Sequence, residues 1–288
     1  MTVMRLFCAL TLALPLAAPG QTVIIPVLAD AGLREVFATT PSGTETGFRV
    51  GNTGLGGGES RNRSLLRFDV AGAVPPEAEI TAVNLYLTVD RTMDATLRTF
   101  ELRRVLVSWA ESQVSWNQRS ADSSWAEPGG EGGTDFSSIV SAATLVGGFG
   151  PWSWASTPGM VADARYWQTN DLENFGWMLL INPEGIGGTA RRFYSHENGI
   201  AAPMLEITYR PPFRIDSVEV SGPKCCIRFM ATLGRTYVVE GRDDIASGEW
   251  FTVSNLPPTK VTEQVTVCDE LGPLRRYYRV GESGPPGQ

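Results

Sequence analysis

The chain has 288 residues, 42% of them hydrophobic and 19% charged, with 31 Gly and 19 Pro. That apolar fraction supports a folded core and excludes a wholly disordered chain, and a net charge of −7 argues against a general nucleic-acid binder. With one histidine in the sequence, a His-rich zinc site and any mechanism using two imidazoles within one chain are excluded.

Residues 1–20, MTVMRLFCALTLALPLAAPG, place Arg5 before the apolar run Leu6–Leu16 and small residues at Ala17, Ala18 and Gly20. This is the order of a secretory signal peptide, with cleavage expected after Gly20 and Ala17 or Ala18 as the alternative ends, and the run is too short for a membrane span. The expected product is secreted or periplasmic, with no membrane span once the signal is removed. Short strands with Gly-rich turns follow. SLLRFDV (64–70), AEITAVNLYLTVD (78–90), FELRRVLVSW (100–109), FGWMLLINP (175–183) and MLEITYR (204–210) read as strands. In 78–90, Val83, Leu85, Leu87 and Val89 fall on one face and Asn84, Tyr86 and Thr88 on the other. A first strand is expected to end before Asp30. One helix is expected in MVADARYWQTN (160–170), entered through Thr157-Pro158. The pattern predicts an all-β fold: a jelly-roll-like β-sandwich over 21–211, bounded by Arg210-Pro211-Pro212, then a small β domain over 212–280 and a disordered tail, 281–288. Six strands are expected in the small domain: SVEVSG, CCIRFM, TYVVEGR, WFTVSN, EQVTVCD and RRYYRV.

Beyond the signal, Cys225, Cys226 and Cys268 remain, without metal-ligand spacing. In an oxidising compartment one disulfide is expected. Adjacent strand residues point to opposite faces, and Cys226 and Cys268 both oppose the apolar series Ile227/Phe229 and Val265/Val267. Cys226 with Cys268 is therefore the expected pair.

RNRSLLRFDV (61–70), PPEAEITAVNLYL (75–87), VLVSWAESQVSWNQ (105–118), MVADARYW (160–167), NFGWMLLINPE (174–184), TARRFYSHEN (189–198) and PMLEITYR (203–210) occur in this order. Together they resemble the disaggregatase-related (DNRLRE) domain of secreted bacterial and archaeal proteins, over roughly residues 27–210. The resemblance implies a jelly-roll sandwich akin to carbohydrate-binding modules, some of which take alginate and related acidic polysaccharides. His196 stands where that family usually has Arg. The C-terminal part is similar to a short β domain attached to many secreted bacterial proteins, a likeness that implies no activity.

Several residues are candidates for such binding. Arg49, Arg61, Arg63 and Arg67 make 49–67 locally basic, with Glu59 alone opposing them. Guanidinium forks suit carboxylates, and the competing role is pairing with local acids. In the phrase Arg191–Glu197, a strand would put Arg192, Tyr194 and His196 on one face and Phe193, Ser195 and Glu197 on the other. The structural alternative pairs Glu197 with a buried arginine such as Arg67. Trp116, with Trp125, Trp152 and Trp154, lies near loops and could stack on a pyranose, whereas Trp109, Trp167 and Trp177 fit the core. No cofactor is expected. A structural calcium could use Asp30, Asp122, Asp135 or Asp171, although no Asp-x-Asp-x-Asp-Gly loop is present. The reading that follows is a non-catalytic binder of polysaccharide or a cell-surface glycan. An adhesive protein binding envelope proteins is the alternative, and a polysaccharide lyase is the weakest reading, because no acid–base pair or nucleophile motif stands out.

Overall fold

The computed structural model describes residues 20–211, 213–244, 246–271 and 276–283. The expected signal, apart from Gly20, and most of the expected tail lie outside them. The described residues divide into two compact units, 20–211 and those from 213 onward.

The first unit contains β1 (Gln21–Arg34), β2 (Gly47–Asn52), β3 (Arg61–Phe68), α1 (Val70–Ala73), β4 (Glu79–Thr92), β5 (Arg98–Arg104), β6 (Gln118–Ser120), β7 (Ser123–Ser124), β8 (Ala142–Val146), β9 (Gly150–Trp154), α2 (Pro158–Thr169), β10 (Trp177–Asn182), β11 (Arg191–Tyr194) and β12 (Met204–Arg210). Two strands belong to both sheets of the sandwich. The N-terminal half of β1 pairs with β12; after a bulge at Leu28, its C-terminal half pairs with β3. Residues 47–50 of β2 pair with β11, whereas Gly51 and Asn52 pair with β3. Gly51 sits at that switch with φ +104°, and a Cβ there would lie 2.9 Å from the Thr189 carbonyl oxygen, so the crossing requires glycine. Sheet A thus runs β1–β12–β4–β11–β2, with β9 also on β4. Sheet B runs β1–β3–β10–β5–β8.

The alternation of β4 works as predicted. Val83, Leu85, Leu87 and Val89 are buried between the sheets, where they meet Phe100, Leu102, Trp177, Leu179 and Phe193. Helix α2 closes one end of this core with Met160, Ala164 and Trp167. The Thr157 hydroxyl accepts the Met160 N–H, and Pro158 opens the first turn. Three sequence expectations shift. β1 continues through Asp30 to Arg34, because the bulge lets it change partners instead of ending. The strand expected at 64–70 stops at Phe68, where Asp69 caps the turn α1 by accepting the Gly72 N–H. The strand expected at 100–109 stops at Arg104, and residues 105–141 fold back over the outer face of sheet B. There Val105, Trp109, Val114, Trp116, Trp125 and Phe136 pack on Ala29, Ala31, Leu33, Leu65, Met178 and Leu180. Strands β1, β3 and β10 of sheet B are consequently covered on both faces, while Leu145 on the edge strand β8 stays exposed.

Arg191 is fully buried at the start of β11. Its guanidinium donates to the carbonyls of Gly147, Thr189 and Thr96, and Asp94 lies 3.6 Å away. Removing it strands three carbonyls in the interior. Arg191→Leu is expected to cost about 3 kcal/mol or more of first-unit stability in urea unfolding, with Arg91→Leu, at an exposed position, costing far less.

The second unit has the six strands expected: β13 (Ile215–Ser221), β14 (Lys224–Ala231), β15 (Thr236–Arg242), β16 (Phe251–Leu256), β17 (Glu263–Glu270) and β18 (Tyr277–Ser283). β18 runs past the boundary expected at 280. Two three-stranded sheets, β13–β14–β17 and β16–β15–β18, enclose Ile227, Phe229, Tyr237, Val239 and Val267. Cys226 and Cys268 are register partners on β14 and β17 and form the disulfide, while Cys225 turns inward and is a buried free thiol. In so small a core this cross-link matters: Cys226→Ala with Cys268→Ala is expected to destabilise the unit by about 2–4 kcal/mol. Mapping under non-reducing conditions should return a Cys226–Cys268 peptide; a Cys225–Cys268 peptide would contradict the pairing.

Candidate functional site

The arginines of the basic stretch separate between the two sheets. Arg61, Arg63 and Arg67 alternate with inward residues of β3 and project from the outer face of sheet B, under the 105–141 layer. Arg61 pairs with Glu35 at 2.7 Å and lies 5.0 Å over the Trp116 ring. Arg63 pairs with Glu184 at 2.7 Å and donates to the carbonyls of Gly129 and Gly130. Arg67 lies 5.4 Å over Trp109. Trp116 is 3% exposed, with the guanidinium groups of Arg61 and Arg63 within about 6 Å of its ring, so it is not an open sugar platform. Trp125 and Trp154 are buried as well, their indole N–H groups donating to the Ser115 and Phe100 carbonyls; Trp152 is half-buried. Trp109, Trp167 and Trp177 occupy core positions, as expected. Cation–π contact and ion pairing thus hold the layer on sheet B, and Arg63 and Trp116 are consumed in that packing.

Arg49 lies on sheet A instead. Across β4, β11 and β2 the register sets Arg91 opposite Arg192 and Arg192 opposite Arg49. Directly opposed residues share a face, so the three guanidinium groups form a row on the outer side of sheet A. Arg192 is held by Asp90 and by the Thr46 hydroxyl at 3.0 Å. Its guanidinium lies across Gly47, where a Cβ would come within 2.7 Å of Cζ. Arg49 and Arg91 have no ion pair among the described residues. Desolvation and the nearby charges of Arg192, Arg91 and Arg34, opposed by Glu45, lower the pKa of Arg49 from its ordinary value. Arg34 pairs with Glu45 at 2.7 Å and lies 5.1 Å over the exposed ring of Phe37. Tyr194 is half-buried two residues beyond Arg192, opposite Gly47. The same face carries Tyr86, whose hydroxyl donates to Glu206. This is a shallow positive surface flanked by aromatic rings.

Arg91 is absent from the sequence candidates. Strict alternation would turn it inward with Val89, but the bulge between the pairs Arg192–Arg91 and Phe193–Val89 brings it outward.

His196 does not share this face. β11 ends at Tyr194, and the chain turns so that the His196 N–H donates to Asp30 Oδ2 at 2.8 Å. The imidazole sits among carboxylates: Nδ1 is 3.5 Å from Asp30 and 3.5 Å from Glu111, and Nε2 is 3.2 Å from Glu197. Glu197 accepts the Ser195 hydroxyl and faces the His196 ring, and among the described residues it pairs with no arginine, Arg67 included. Glu111 accepts the Asp30 N–H at 2.7 Å, closing the strand edge that the β1 bulge leaves open. Burial pushes the Asp30 carboxyl up to about 7.

Of the acidic residues considered for calcium, Asp135 spends its carboxylate on the Ala126 and Glu131 N–H groups, and Asp122 and Asp171 are exposed on separate segments. They do not converge. Asp30, His196 and Glu197 form a group with metal-donor spacing. No helix among the described residues is long and apolar enough to cross a membrane.

No curated protein matches the chain. Residues 21–127, running from β1 through β5 into the layer over sheet B, match the family model of carbohydrate-binding module family 96, which supports a carbohydrate-binding domain in the first unit and is a non-catalytic class.

Proposed function

We propose that the first unit is a non-catalytic module that binds an acidic polysaccharide through the outer face of sheet A. The observation that carries this reading is the register row Arg91–Arg192–Arg49, in which two of the three guanidinium groups have no ion pair among the described residues. Unpaired guanidinium forks on a sheet surface match the spaced carboxylates of a uronic-acid chain. Tyr194, two residues beyond Arg192 on the same strand face, offers a ring for the apolar face of a sugar, and Tyr86 lies farther along β4 on that face. The match to a carbohydrate-binding module family and the resemblance to the DNRLRE domain support the same reading. So does the covering of β1, β3 and β10 of sheet B on both faces, since a broad strand surface is left open on sheet A. The signal-like N-terminus and the Cys226–Cys268 disulfide support action in an oxidising, extracytoplasmic compartment.

Affinity electrophoresis through gels containing alginate or pectin tests this. Retardation is expected at low salt and is expected to weaken as salt rises. Arg49→Glu and Arg91→Glu should each weaken retardation about tenfold, a loss of about 1.4 kcal/mol, and together should abolish it. Arg61→Gln, on the opposite sheet and paired with Glu35, should leave retardation within about twofold of the parent. Equal retardation of parent and double variant would refute the sheet A surface. No retardation in any acidic or neutral glycan would favour an adhesive role toward other proteins.

A further inference from the structure

The polar cluster at the end of β11 has no part in the sheet A surface, and its chemistry is different. Asp30, Glu111 and Glu197 converge on one imidazole, and among the described residues none of the three is paired with Arg or Lys. The Asp30 side chain is 2% exposed; its Oδ2 takes the His196 N–H, and its Oδ1 accepts no hydrogen bond among the described residues. His196 Nδ1 is buried without a hydrogen-bond partner although Asp30 and Glu111 oxygens stand 3.5 Å from it. Such a separation is poor for a hydrogen bond, yet it is about the edge of a coordination polyhedron whose donors lie about 2.1 Å from a central ion. One ligand atom from each of Asp30, His196 and Glu197 can be chosen so that all lie within 4.8 Å of one another.

We propose that Asp30, His196 and Glu197 hold a divalent transition-metal ion, with Glu111 beside the ring at 3.5 Å from Nδ1. Asp30, Glu111 and Glu197 carry no Arg or Lys partner among the described residues, and a dication bound between the carboxylates and the ring would offset their charge. The imidazole nitrogen selects zinc, manganese or a similar ion over calcium, which prefers a shell made wholly of oxygen. The ligands are far apart in sequence: Asp30 belongs to the second half of β1, whereas His196 and Glu197 follow β11. The ion would therefore clamp sheet B to the end of sheet A, and its effect would be structural. It is independent of glycan binding.

The test uses the full chain without a histidine tag, treated with EDTA and dialysed. Zinc, manganese and calcium are then added separately, and thermal unfolding and calorimetric binding are followed. One equivalent of zinc or manganese should bind and raise the first-unit Tm by about 5 °C or more at saturating metal, with calcium giving no comparable rise. His196→Gln and Glu197→Gln should each remove the rise. The second variant leaves the buried Asp30 and the ring in place, so it serves even if the first folds poorly. No binding to the parent chain would overturn the site. A metal-induced rise that survives in both variants, or a rise with calcium alone, would equally overturn it.

Discussion

Trp109, Trp116 and Phe136 lie against the outward arginines of β3, and the rest of the first unit is arranged around that contact. A sheet in a sandwich ordinarily offers one face to the core and one to water. Here the 105–141 layer removes β1, β3 and β10 of sheet B from water on their second face as well. Arg61 and Arg63 are neutralised by Glu35 and Glu184, while Arg67 lies over the Trp109 ring with its buried Nε unpartnered among the described residues. The consequence is a division of labour among arginines close in sequence. Those on β3 hold a layer in place, and the one on β2 joins an open surface on the opposite sheet.

The crossing at Gly51 makes that division possible. Arg49 precedes it and Arg61 follows it, and the two end on different sheets although the sequence reads them as one basic stretch. A count of local charge carries no information about which sheet a residue joins, because the partner strands, β11 and β3, lie more than a hundred residues apart. Arg192 and Tyr194 were legible as companions from the period-two pattern, whereas Arg91 was hidden by a bulge that reverses its side. His196 was grouped with them by the same pattern, which fails where the strand ends at Tyr194.

Much of the scaffold was readable. β4, α2 and β12 carry strong periodicity and end at turn or cap residues, and they appear within a few residues of their expected limits. The Cys226–Cys268 pair followed from which face each cysteine shares with the apolar series. What the sequence concealed was long-range. A loop full of tryptophan looks like a binding loop until its rings are seen to have a sheet beneath them, and β1 looks finished at Asp30 until a bulge gives it a second partner. Both depend on contacts between distant segments, which local pattern does not encode.

In the proposed mode of binding, acidic glycan meets sheet A and not the arginines of β3. Observing the arginine side-chain Nε–Hε resonances of the protein during titration with a uronic-acid oligosaccharide tests it most directly. Perturbation concentrated at Arg49, Arg91 and Arg192, with Arg61, Arg63 and Arg67 unmoved, is the predicted result. Perturbation centred on Arg61, Arg63 and Arg67 would contradict it and would mean that the layer over sheet B opens to admit the ligand.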